Sequence, residues 1–163
     1  MNIYDFAIDF EIENREFYEE CAANTPQEDL KKVFLELAGE EKKHENIVRQ
    51  LKENKEVDEV EAGILPKAKE AFAKISENMP TGDSVMAEEQ VDVYKKAINL
   101  ETKSYEFYKE RAAEADSELV KNTFNRLAEE EKKHERIIDS IIEMVDRPNT
   151  WLENAEWNHL EDY

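Results

Sequence analysis

A Glu-x-x-His phrase occurs twice in the chain, 90 residues apart, and each time a lone Glu stands 30 residues upstream. The first set is Glu11, Glu41 and His44; the second is Glu101, Glu131 and His134. The surroundings repeat at the same offset. Ala7, Glu11, Phe17 and Tyr18 recur as Ala97, Glu101, Phe107 and Tyr108, and the stretch from Phe34 to Ile47 recurs from Phe124 to Ile137. An internal repeat of this length, helical in pattern, predicts two copies of one helix pair. Two such pairs make a four-helix bundle, and paired Glu and Glu-x-x-His sets are the donors that a dinuclear metal site in a bundle core uses.

The composition agrees with an all-α chain. Only three Gly and four Pro occur in 163 residues, so little interrupts long helices. The length fits one domain able to bury a core of its own. With 41 acidic against 22 basic residues the formal net charge is −19, which repels nucleic-acid phosphates and anionic membranes and excludes both as expected partners. The single cysteine, Cys21, excludes an internal disulfide and a four-cysteine iron or zinc knuckle, and suits a reducing cytoplasm. The first residues show no signal-peptide pattern, and no apolar run nears the ~20 residues that span a bilayer.

Apolar spacing predicts helix 1 over residues 3–24 and helix 2 from Thr25–Pro26 to about 53. Thr25 is read as the cap of helix 2, with Pro26 at its first position and Glu28 completing a capping box. The short link makes the two helices antiparallel neighbours. Residues 54–83 hold two of the Gly and two of the Pro and are read as a crossover with a short helix over 66–78. Helix 3 is expected from Asp83 or Ser84 to about 115. Helix 4 follows from Asp116 or Ser117 to about 146, where Pro148 ends it. The repeats thus run over about 3–53 and 84–146 within a bundle of residues 1–147. The tail 148–163, with Trp151 and Trp157, is expected to pack on the bundle or on a partner subunit.

On a helical wheel of about 100° per residue, Glu41 and His44 fall among Phe34, Leu37, Val48 and Leu51. Glu131 and His134 fall among Phe124, Leu127, Ile138 and Ile142. Glu11 and Glu101 likewise share faces with Tyr18 and Tyr108. Glu40, Lys42, Lys43, Lys132 and Lys133 are expected to face water. One Glu-x-x-His on an acidic helix means nothing, and one Glu on an apolar face usually reaches back to solvent. Six such residues, duplicated and all inward, are different. Four ionised carboxylates in a dry core are untenable without cations. Two divalent ions offset them, and two neutral imidazoles complete the set. Mixed carboxylate and imidazole donors without thiolate suit iron or manganese. Tyr18 and Tyr108, two turns beyond Glu11 and Glu101, are candidates to donate hydrogen bonds to ligand carboxylates.

The phrases Glu11-x-x-x-Arg-Glu-Phe-Tyr18 and Glu41-Lys-Lys-His44-Glu, with their copies at Glu101 and Glu131, resemble the rubrerythrin branch of the ferritin-like superfamily over about residues 3–147. The resemblance implies a ferritin-like bundle with a long crossover between helices 2 and 3 and two iron ions, with manganese as the alternative metal. It implies reduction of hydrogen peroxide to water under oxidative stress; apart from the resemblance, a homodimer is expected. Rubrerythrins of the usual kind carry a four-cysteine rubredoxin domain; with one cysteine here, electrons are expected from a separate donor such as a rubredoxin. They also place an extra Glu three residues from the third-helix ligand, where this chain has Ile98 and Ser104. The remaining set of four Glu and two His resembles bacterioferritin as well, so reaction with dioxygen as a ferroxidase or iron-storage protein is the second expectation. A metal-free helical adaptor is the third.

Overall fold

The computed structural model describes residues 2–58, 60, 64–78 and 89–146. They form five helices: α1 (Ile3–Ala23), α2 (Glu28–Lys52), α3 (Ile64–Asn78), α4 (Glu89–Glu114) and α5 (Glu118–Asp146). The all-α reading holds, and α1, α2, α4 and α5 are the four bundle helices. The expected caps at Asp83 or Ser84 and the tail 148–163 lie outside the described residues.

Local chemistry sets the helix ends. Asn2 caps α1 through its side chain, which accepts from the Asp5 amide at 3.0 Å. At α2 the sequence-based expectation needs correction. The cap is Gln27, whose side-chain oxygen accepts from Leu30 N at 2.6 Å. The Thr25 hydroxyl instead donates backwards to the Cys21 carbonyl at 2.6 Å and is buried there. Its hydroxyl is turned back towards α1, and α2 begins only at Glu28, directly after Gln27. The α2 C-terminus closes with Lys55 N donating to Gln50 O and Asn54 N to Leu51 O. Asn54 takes a φ of 56°, the left-handed turn that this paired closure requires and that Asn tolerates. Helix α3 starts at Ile64, two residues before Pro66, which sits harmlessly in the first turn. Ser117 caps α5, its hydroxyl accepting from Val120 N at 3.4 Å.

Contacts between helices fix their directions. Asp5 meets Lys52 and Arg15 meets Glu45, so α1 and α2 are antiparallel. Tyr18 meets Glu101 and Tyr108 meets Glu11, so α1 and α4 are antiparallel too. It follows that α2 and α4 run the same way. Their connection must therefore traverse the bundle lengthwise, as the crossover reading requires, and α3 lies along it against α2 and α5.

The core is split in two. At one end Phe34, Leu37, Phe72, Tyr94 and Ile138 pack together; at the other, Ile8, Val48, Leu51, Phe124 and Leu127 do so. Burying each such side chain contributes about 1.5–3 kcal/mol. Between the two clusters every bundle helix contributes polar residues: Glu11 and Asn14, Glu41 and His44, Glu101 and Ser104, Glu131 and His134, all at most 1 % exposed. This layer sits dry in the middle of the molecule.

Candidate metal centre

All six residues singled out by the repeat converge in that layer. Helix α1 presents Glu11, α2 Glu41 and His44, α4 Glu101, and α5 Glu131 and His134. Within α2 and α5 the three-residue spacing puts carboxylate and imidazole on one face. The His44 and His134 rings lie nearly parallel, 5.7 Å apart. His44 Nδ1 is 2.9 Å from Glu131 Oε1, 3.6 Å from Glu11 Oε2 and 3.9 Å from Glu41 Oε2. His134 Nδ1 is 2.7 Å from Glu41 Oε1 and 3.5 Å from Glu101 Oε1. The donors sort into two overlapping groups, Glu11–Glu41–His44–Glu131 and Glu41–Glu101–Glu131–His134, each with its ligand atoms within 4.8 Å of one another. Glu41 and Glu131 belong to both. Glu11 and His44 belong to the first group alone, and Glu101 and His134 to the second.

The donor set fits a pair of metal ions by two observations. Metal–ligand bonds of about 2.0–2.2 Å at right angles put neighbouring donor atoms ~3 Å apart, close to the shorter separations seen here. Moreover, each of the six residues keeps one buried atom without a hydrogen-bond partner: Oε2 of Glu11, Glu41, Glu101 and Glu131, and Nε2 of His44 and His134. Buried polar atoms are rarely left unpaired in a finished structure.

Electrostatics describe how the layer survives as protein alone. Burial, followed by repulsion from the neighbouring carboxylates, pushes Glu41 and Glu131 well above the ordinary range. Burial acts the same way on Glu101, but hydrogen bonds from Glu131, His134 and Tyr18 outweigh it and hold Glu101 at about 2. Glu11 is lowered for parallel reasons, with Glu41, His44 and Tyr108 overcoming burial. Burial would discharge His44, yet Glu11, Glu40 and Glu130 raise it. Burial and mutual repulsion thus favour the protonated form of Glu41 and Glu131, and hydrogen bonding favours the charged form of Glu11 and Glu101.

Tyr18 and Tyr108 do donate to candidate ligand carboxylates, but across the molecule. Tyr18 Oη donates to Glu101, and Tyr108 Oη donates to Glu11 at 2.6 Å. Each half therefore braces the ligand of the other. Burial and the adjacent carboxylates raise both phenols far above their ordinary value, so they stay protonated as donors.

Three features escaped the reading of the sequence. Glu40, expected to face water, is buried, as is its counterpart Glu130; Lys42 and Lys43 are exposed as expected, and Lys132 and Lys133 are half-buried. Lys133 neutralises Glu130 through Oε1 at 3.0 Å. Glu45 is buried beside His44 and bonded by Arg15 at 2.9 Å and Arg49 at 2.8 Å. Asn14, one turn from Glu11, donates through Nδ2 to Ser104 Oγ at 3.1 Å. Its place on the Glu11–Tyr18 face was visible in the spacing.

The fold is a helical bundle that encloses two overlapping carboxylate–imidazole groups able to hold metal in its core. The chain belongs to the rubrerythrin family: that family's model matches residues 2–142, and matches again over 92–160. The second match starts 90 residues after the first (92 − 2 = 90), the offset of the repeat. No curated protein and no solved structure gives a significant match. No described helix is long and apolar enough to cross a membrane.

Proposed function

We propose that the protein is a di-iron oxidoreductase that reduces hydrogen peroxide to water, with electrons from a separate donor such as a rubredoxin. The observation that carries this reading is the set of six buried residues, each with one unpartnered atom, in two groups that share Glu41 and Glu131. Glu11 and His44 would hold one ion and Glu101 and His134 the other, with Glu41 and Glu131 spanning both. Manganese meets the same donors. When bound, two ferrous ions supply the two electrons that cleaving one O–O bond consumes, and two protons complete two waters. Tyr18 and Tyr108 keep Glu101 and Glu11 ionised and oriented, and the apolar clusters at either end exclude bulk water. Cys21 is no competing thiol, since burial pushes it up to about 12. A reducing cytoplasm is its proposed compartment.

Ferrous-iron oxidation is the second reading. It is favoured by Ser104, a neutral residue three positions past Glu101, which leaves four carboxylates to balance two divalent ions.

Iron bound after anaerobic loading and desalting tests both readings. About two ions per chain is the count for a bundle carboxylate site. Glu41→Ala should abolish peroxide consumption by the iron-loaded protein; full activity in that variant would falsify the assignment. Many irons per chain, arriving only in air and in a large particle, would establish storage instead. No bound iron would leave a helical adaptor or a centre for a different metal.

A further inference from the structure

Asn14 and Ser104 occupy equivalent places in the two repeats and meet between α1 and α4, each three residues past a candidate ligand, Glu11 or Glu101. Both are buried, at 1 % and 0 % exposure. Ser104 Oγ lies 3.0 Å from the Leu100 carbonyl. A hydroxyl has one proton, and a carbonyl can only accept it. Ser104 must therefore accept from Asn14, which fixes the amide: Nδ2 faces Ser104, and Oδ1 is turned away from it.

That Oδ1 is buried and has no hydrogen-bond partner. The groups on the same face cannot supply one. Glu11 and Glu101 are acceptors, taking hydrogen bonds from Tyr108 and Tyr18. The Tyr18 and Tyr108 hydroxyls are committed to Glu101 and Glu11. The Ser104 proton is committed to Leu100. What remains is a fixed, neutral acceptor one turn along from a terminal metal-ligand candidate. Its missing donor must come with a guest small enough to enter a closed layer.

We infer that Asn14 is the substrate-orienting residue of the site: its Oδ1 accepts a hydrogen bond from a small molecule bearing an O–H, of which hydrogen peroxide and water are the two that fit the chemistry. Ser104 is the positioning residue that locks the amide in that sense. The inference rests on the di-iron reading. It adds a selectivity to it: the contact favours protonated oxygen ligands and disfavours anions that bring no proton, because a lone pair faced by a lone pair repels.

The test compares wild type with Asn14→Leu, which keeps the size and removes both polar ends, and with Ser104→Ala, which leaves the amide free to turn over. Two readouts are taken on iron-loaded, oxidised or cycling protein. The first is the azide dissociation constant, followed by the absorption that azide gives with ferric iron; azide carries no proton. The second is KM and kcat for hydrogen peroxide. A hydrogen bond of ordinary net worth corresponds to about tenfold in affinity. Asn14→Leu should raise the peroxide KM about tenfold, with kcat within about a factor of two, and should bind azide several-fold more tightly. Ser104→Ala should move both in the same directions by less.

A lost core hydrogen bond that merely loosens the fold would shift both ligands the same way, and that result overturns the inference. Unchanged constants in a fully loaded Asn14→Leu protein also overturn it. Should Asn14→Leu fail to fold, Ser104→Ala decides by the same opposed signs. Wild type that binds azide but consumes no peroxide sinks the peroxidase reading alone; the azide comparison then still decides the role of Asn14.

Discussion

The two halves of the molecule agree at the centre and part at the edge. The buried, half-buried and exposed positions of residues 11–20 recur, residue for residue, at 101–110. The cross-bracing recurs too, Tyr18 to Glu101 and Tyr108 to Glu11. One turn outward the likeness ends. In the first half Arg15 and Arg49 clamp Glu45, whose side chain is 4 % exposed. In the second half Tyr105 stands where Arg15 does, and Lys132 lies over its ring at 5.5 Å. Glu135, the counterpart of Glu45, is 18 % exposed and meets Lys132 at 3.3 Å. Residues that must satisfy each other across the bundle have no freedom to drift, because a change on one side strands a partner on the other. Residues whose partners lie on their own side of the bundle can be exchanged locally.

The sharpest way to break this comparison is through the tyrosines. Tyr18→Phe and Tyr108→Phe each remove a donor to a buried ionised carboxylate, a loss of about 1.5–3 kcal/mol. Urea unfolding of the metal-free variants should give the two penalties within about 0.5 kcal/mol of each other; a clear inequality would mean the halves are not equivalent at the centre. At the edge the expectation reverses. Glu45→Gln should cost about 1–2 kcal/mol, because it weakens charge-assisted bonds from two arginines. Glu135→Gln, at a more exposed pair, should cost only about 0–1 kcal/mol. Equal losses would erase the distinction.

The smallest effect concerns pH and treats the halves as one. Glu41, Glu131 and His44 have folded values raised above their unfolded ones. Their contribution is fully present below the unfolded values and is lost as pH rises through the folded ones. Metal-free protein should therefore gain stability when taken from pH 8 towards pH 5, by about 1 kcal/mol or roughly 2–4 °C in Tm. Glu11 and Glu101, lowered in the fold, reverse the trend only below the ordinary carboxylate range. Metal-loaded protein should slope the other way, since binding requires those protons to leave. Parallel slopes in a thermal melt series would contradict the protonation assigned to the bridging pair.

The fold was legible in the sequence because the repeat is long and its apolar spacing strong. The six inward donors were legible for the same reason. What stayed hidden was set by contacts between distant segments. A helical wheel places Tyr18 on the face of Glu11 but cannot say that its hydroxyl reaches α4 rather than its own helix. Nor can it show that Glu40 and Glu130 are buried. Asn14 and Ser104 differ in type, so the repeat itself drew no attention to them. The Thr25 cap failed on local geometry: its hydroxyl turns back to the Cys21 carbonyl, and α2 begins only at Glu28, where Gln27 takes the cap.

The traverse between α2 and α4 has a consequence for the cell. Each helix hairpin supplies three of the six donors, and in separate chains two hairpins would have to find each other before any metal could be shared. Metal capture would then fall off with dilution. Joined in one chain, the second hairpin is present at an effective concentration on the order of mM. Loading of the proposed centre would then depend on how much metal is available and no longer on how much protein has been made.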